Sequence, residues 1–179
     1  MRSDLLSLSV LTFLSILVSP EVSSEAPSSW DGLKGYHFVF DLTGDAKRLP
    51  PWEQEAIIRI ATQAGVDPRL LAAVRLTENG SPGREFGVLS VPAPTYEDQG
   101  RVAAETIQNV VERYHRHIGE SPVGPDGHFT GDFLRYFSEG GTGYLGYAPI
   151  GAGNDPTGLN VHHFPKLLAF YWSITTLRG

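Results

Sequence analysis

The chain of 179 residues contains no cysteine and a single methionine. Without thiols there is no disulfide framework, no thiol nucleophile, no cysteine-based metal site and no lipid anchor attached through cysteine. Basic residues are also scarce: 14 Lys and Arg stand against 20 Asp and Glu, a net charge of −6, which leaves no basic patch for nucleic acid. No apolar run reaches the roughly 20 residues that a stable membrane span needs. Neither a heptad seam, a nucleotide loop, an internal repeat nor sustained strand alternation is visible in the sequence. What is present is a chain long enough for one globular domain with appendages.

The longest apolar stretch, LLSLSVLTFLSILVS from Leu5 to Ser19, follows Arg2 and precedes the small residues Val22, Ser23 and Ser24. That order predicts a signal peptide over residues 1–24, cleaved on export to a secreted or periplasmic location. Its removal takes away one base and two acids (Arg2, Asp4, Glu21) and moves the charge from −6 to −5. Residues 25–49, rich in Ser, Pro, Gly and Asp, read as a linker or N-terminal arm, with alternation from Tyr36 to Leu42 marking one strand or ordered piece.

From Pro50 the spacing becomes helical, and residues 50–179 are expected to form a mainly α domain with long Gly/Pro-rich loops. PPWEQEAIIRIATQAG opens with Pro and acids and stops at Gly65. Asp67 is the N-cap of a second helix with Pro68 in its first position, a stripe of Leu70, Leu71, Ala73 and Val74, and an end at Asn79-Gly80. Thr95 with Asp98 caps a third helix, whose apolar positions are Val102, Ala103, Ile107, Val110, Val111 and Tyr114. Gly and Pro break the chain over 119–127. A short helix fits Asp132 to Ser138, a Gly-rich loop follows from Glu139 to Gly158, and Asn160 is expected to cap a last helix running to about Leu177.

Glu78 lies four residues after Val74, seven after Leu71 and eight after Leu70, so it continues an apolar stripe instead of facing water. Partial desolvation and the negative end of the helix dipole both favour its neutral form. A neutral carboxyl beside an open loop is what general-acid cleavage of a glycosidic bond requires, because the leaving oxygen must receive a proton. The plainer alternative is an ion pair with Arg75, three residues earlier, or with Arg84.

The string LAAVRLTENGSPGREFGVLS resembles the core of the lysozyme superfamily, in which a helix delivers a catalytic Glu and a Gly-containing segment lines the sugar groove. Soluble lytic transglycosylases carry E-S, G-L-M-Q and A-Y-N-A-G; the matching places are Glu78-Asn79, Gly87-Val88-Leu89-Ser90, and Tyr147-Ala148-Pro149 ahead of Gly151-Ala152-Gly153-Asn154. Bacterial endo-β-N-acetylglucosaminidases are similar at Glu85-Phe86-Gly87-Val88-Leu89 and at Tyr147-Ala148-Pro149 with Asp155-Pro156. YAPIGAGNDPTGLN also resembles small phage and bacterial peptidoglycan-degrading proteins of the superfamily. Asn79 replaces the serine after the acid, and Leu89 or Ser90 replaces the groove Gln.

The resemblance implies a lysozyme-like domain acting on the peptidoglycan glycan strand, with Glu78 and Tyr147 catalytic and Asn79, Glu85, Phe86, Gly87, Ser90 and Asn154 contacting substrate. A transglycosylase needs no second carboxylate, whereas a hydrolase needs a base or stabiliser for water. The transglycosylase is the preferred expectation. A hydrolytic glucosaminidase and a non-catalytic peptidoglycan-binding module are the alternatives. Tyr147 has a phenol that can bond Glu78 or the developing charge. Glu85 reads first as a solvated partner of Arg84, and Asn154 and Asp155 as turn residues before Pro156. Trp52, Tyr96, Tyr144 and Tyr147 could stack on sugars, although packing is the ordinary fate of aromatics in a small domain.

No cofactor and no metal are expected. Asp126, His128, Thr130, Gly131 and Asp132 alternate as in a calcium loop, but Phe137 stands where a bidentate Glu is required. His115/His117 and His162/His163 are spaced too closely to close on one ion. The oligomeric state is open.

Overall fold

The computed structural model describes residues 42–153 and 155–174. The signal peptide, the Tyr36–Leu42 alternation up to residue 41, and Asn154 lie outside them. The described residues form a mainly helical body of five α-helices: α1 Pro51–Ala64, α2 Pro68–Glu78, α3 Tyr96–Ile118, α4 Gly131–Glu139 and α5 His163–Ser173. None of these helices is long and apolar enough to cross a membrane. Two residues of β1 (Gly140–Gly141) pair antiparallel with two of β2 (Tyr144–Leu145), a small hairpin that no strand pattern had marked.

Local chemistry sets the helix ends. α1 stops at Gly65, which is left-handed at φ 66° and returns its N–H to Ala61 and Thr62. Asp67 caps α2 by accepting from the Arg69 N–H, and Pro68 sits in the first turn. Thr95 accepts from the Asp98 N–H at the start of α3, and Thr130 accepts from the Phe133 N–H at the start of α4.

Two expectations are corrected at α5. Asn160 does not cap it: the residue lies inside a 3₁₀ turn, Leu159–His162, and its amide donates to the Pro149 carbonyl. The cap position falls to His162, and Ile174 already has extended backbone, so the helix ends at Ser173 and not near Leu177.

Helix α2 is the centre of the fold. Every residue from Pro68 to Val74 is buried, and its most extensive packing among the described residues is against α5. The two helices run antiparallel, since Asp67 at the start of α2 meets Tyr171 near the end of α5, while Glu78 at the end of α2 meets His163 at the start of α5. α1 covers α2 from another side and carries α3, whose buried stripe includes Ala103, Ala104, Ile107, Val110 and Tyr114. Leu42, Ala46 and Leu49 are core residues around a 3₁₀ turn, Gly44–Arg48, so the last eight residues of the expected arm belong to the packed body.

Candidate active site

Glu78 is the last residue of α2. Asn79 follows in the left-handed conformation at φ 44° and returns its N–H to the Arg75 carbonyl, which ends the helix. The chain then folds back so that Gly87, at φ 68°, lies flat against the acid; a Cβ at this position would overlap the Glu78 carboxylate at Oε2. The other oxygen, Oε1, is 3.0 Å from Nε2 of His163, and Nδ1 of that ring is 2.6 Å from Ser138 Oγ on α4. The Glu78 side chain keeps 22% exposure while the His163 side chain keeps 7%, so the acid reaches the surface and its partner does not.

Tyr147 stacks on the His163 ring at 5.9 Å between centroids and on Phe137 at 5.1 Å. Its backbone is pinned to α4, with Tyr147 N–H donating to the Phe137 carbonyl and Ala148 N–H to that of Ser138. The phenol donates to the Phe86 carbonyl and not to Glu78, which corrects the expected Tyr147–Glu78 bond. Burial first, and the charge of Glu78 second, push this phenol's pKa well up, so Tyr147 stays a neutral donor tying the Gly-rich loop to the Phe86–Gly87 turn.

The remaining candidates separate. Asn79 is exposed beside the acid, and Ser90 is exposed on the loop. Phe86 is fully buried, edge-on to Tyr96 at 5.1 Å, so its ring packs the core and is closed to a ligand. Glu85 is not a solvated partner of Arg84. It is buried at 9% exposure, with Oε1 accepting from the Gly83 N–H and Oε2 unpaired. Asp155 is a turn residue as expected, its carboxylate accepting from the N–H groups of Leu159 and Asn160.

The anticipated Arg75–Glu78 ion pair does not form. Arg75 turns to α1, where its Nε donates to Glu53 Oε2 at 2.8 Å, and Tyr96 donates its hydroxyl to the same oxygen. Three carboxylates are buried among the described residues: Glu53 is held by Arg75, Asp67 by Arg69, and Glu85 by a backbone N–H. Glu78 alone combines partial exposure at this junction with an imidazole partner. An imidazole can give or take a proton near neutral pH, and a guanidinium cannot.

Two clefts open on the surface of the described residues. One of about 310 Å³ is lined by residues of the 83–94 loop, including Val88, Leu89 and Pro92, and by Gln99, whose side chain holds both Val88 and Ala93 through backbone hydrogen bonds. The other, about 400 Å³, runs between α2 and α5 past Thr77, Asn79, Lys166 and Phe170. Glu78 lines neither, but both of its chain neighbours border the second. Of the aromatics, Trp52 is exposed and edge-on to Tyr96, while Tyr144 packs on His117 and under Arg113.

No protein family, curated protein or solved structure matches the chain.

His163 is the functional candidate that the sequence reading missed. The signal was there: His163, Leu167 and Tyr171 recur at four-residue intervals and are the buried residues of α5, the same argument that singles out Glu78 on α2. Ser138, His163 and Glu78 also form a serine–imidazole–carboxylate chain that sequence separation hides. Ser138 is fully buried, so its hydroxyl cannot meet a substrate as a nucleophile.

Proposed function

We propose that this protein is a peptidoglycan-degrading glycosidase of the lytic transglycosylase type, exported and acting on the glycan strand with Glu78 as its acid and base. The observation that carries the reading is the placement of Glu78 at the solvent end of a buried helical stripe, free of any guanidinium, with one oxygen on an imidazole and the other beside a side-chain-free Gly87. The lysozyme-superfamily resemblance around Glu78, Gly87 and Tyr147 supports it, since these three segments converge in space.

In the proposed reaction the Glu78 carboxyl donates its proton to the glycosidic oxygen as the C1–O bond breaks. The 6-hydroxyl of the same muramic acid residue attacks C1 and gives its proton to the Glu78 carboxylate. The acid is regenerated, a 1,6-anhydro ring forms and no water is consumed. The inward turn of Glu85 favours this course over hydrolysis, because its buried carboxylate, with one oxygen on the Gly83 N–H, is withdrawn from the solvent that an activated water would come from. Tyr147 holds the two loops at the site together through the Phe86 carbonyl.

A zymogram on purified cell wall tests the reading. Clearing by the wild type and none by Glu78→Gln supports it, and equal clearing by both refutes it. Mass spectrometry of the fragments separates the courses. Anhydromuramic ends fit the proposal, reducing N-acetylglucosamine ends assign a hydrolytic glucosaminidase, and binding without soluble fragments assigns a non-catalytic module.

A further inference from the structure

We infer that Ser138 fixes His163 as the neutral tautomer protonated at Nε2, and that this imidazole is a positioning residue which occupies Glu78 Oε1 and leaves Oε2 as the oxygen that handles the substrate proton. The second half rests on the reading of Glu78 as the acid; the first half does not.

The argument is an accounting of hydrogens around one buried hydroxyl. Ser138 has no solvent exposure, and its Oγ makes one hydrogen bond, to His163 Nδ1 at 2.6 Å. Thr77 and Thr106 turn their hydroxyls back onto the carbonyl four residues earlier in their helices, whereas Ser138 makes no such bond. If Nδ1 carried a proton, Ser138 could only accept, and its own O–H would be left buried without an acceptor. Ser138 therefore donates to a bare Nδ1. A neutral ring then holds its one proton on Nε2, which is directed at Glu78 Oε1 at 3.0 Å.

An imidazolium would bring a proton back to Nδ1 and recreate the conflict with Ser138. The Glu78–His163 contact is thus a hydrogen bond from a neutral donor, although its distance is that of an ion pair. This keeps a positive charge away from the acid, which would otherwise hold it as a carboxylate. It also distinguishes the two oxygens. Oε1 is engaged, and Oε2 sits against Gly87, where no side chain intervenes.

The other groups against the ring fit this assignment. Tyr147 stacks on it with a phenol that stays neutral and is committed to Phe86. His162, in the turn before α5, and Lys166, on α5, are exposed. Among the described residues, Glu78 is the one carboxylate in hydrogen-bond contact with the ring.

Ring-nitrogen NMR on the full chain labelled with ¹⁵N-histidine tests the tautomer, with the His163 signals among the six histidines assigned by their loss in His163→Gln. The neutral Nε2–H form is expected at neutral pH, and Ser138→Ala should bring mixed tautomers. An Nδ1–H ring or an imidazolium in the wild type at neutral pH overturns the inference, as does a ring unchanged by Ser138→Ala.

Kinetics on purified peptidoglycan tests the positioning role. Ser138→Ala should lower kcat about tenfold with KM unchanged. His163→Gln, which keeps a neutral N–H donor, should retain activity within about tenfold, while His163→Leu loses about a hundredfold. Equal activity in the Gln and Leu variants overturns the positioning role. Cleavage by Glu78→Gln overturns the acid reading and leaves the tautomer result standing, so the two failures are distinguishable.

Discussion

The two ends of the α2–α5 pair each hold a carboxylate, but with different partners and different exposure. At one end Asp67 accepts from the Arg69 backbone and guanidinium and from the Tyr171 hydroxyl, Arg69 also donates to the Gly127 carbonyl, and Tyr171 accepts from the Phe129 N–H. The charge there is buried, permanently paired and fixed. At the other end Glu78 meets the His163 imidazole with no guanidinium beside it, and it remains partly open to solvent. A buried carboxylate with a guanidinium serves the fold, whereas one with an imidazole at the surface is available for proton transfer.

The comparison breaks most sharply at Asp67. Asp67→Ala strands the Arg69 guanidinium, removes the α2 cap and frees the Tyr171 hydroxyl, with an expected loss of about 3–5 kcal/mol measured by denaturant unfolding. A loss as small as that of an exposed substitution would mean that the two ends do not differ in kind. Glu78→Gln should give the converse, a stability change within about 1 kcal/mol and a fall in glycan cleavage of about 10²–10⁴-fold.

Gly87→Ala joins both properties. Its Cβ overlaps the acid and its φ is positive, so a cost of about 1–3 kcal/mol is expected together with displacement of Glu78 and loss of cleavage. Full activity in this variant would show that the Gly87 backbone does not approach the acid.

Alkaline titration should sharpen the fixed end. The Tyr171 phenol is raised by burial and then by Asp67, and Tyr96 by burial and then by Glu53. Because these folded values lie above the unfolded one, the stability they contribute is complete below about pH 10 and is lost as pH rises beyond it. Tyr171→Phe should reduce that alkaline slope in unfolding experiments, and an unaltered slope would remove Tyr171 from the account.

The smallest effect is at the exposed Asp155 turn, whose carboxyl is held below the usual range first by the Asn160 N–H. Its contribution is present above about pH 4 and is lost as pH falls through the lowered folded value. Hydrogen-exchange protection of the Leu159 and Asn160 amides, corrected for intrinsic rate, should decline there. Constant protection at acid pH would contradict it.

The helices were legible because their signals are local. Gly65, Asp67-Pro68 and Thr95 with Asp98 each act within one turn, and the apolar spacing of α3 requires only its own residues. Glu78 was legible for the same reason. Its partner was not chosen by proximity in sequence: Arg75 is three residues away, but α1 packs Glu53 and the Tyr96 hydroxyl network against it, and the shared buried site takes the guanidinium. Glu85 and Phe86 look like loop residues by composition, yet the turn back from Asn79 carries both inward. The Ser138–His163–Glu78 chain depends on three helices meeting, which no single-element pattern encodes.

The separations along the chain bear on the order in which the molecule is put together. Gly87 and Glu78 are nine positions apart, whereas His163 is 85 residues from Glu78 and Tyr171 is 104 from Asp67. Contacts that close such long loops carry a large entropic cost before they are rewarded, so they slow folding. A nascent chain that has reached residue 158 already holds the acid and its glycine, but not the imidazole. The site therefore becomes complete only when α5 docks onto α2, and the same docking fastens the opposite end through Tyr171. Closure of the body and completion of the Glu78–His163 contact are one event.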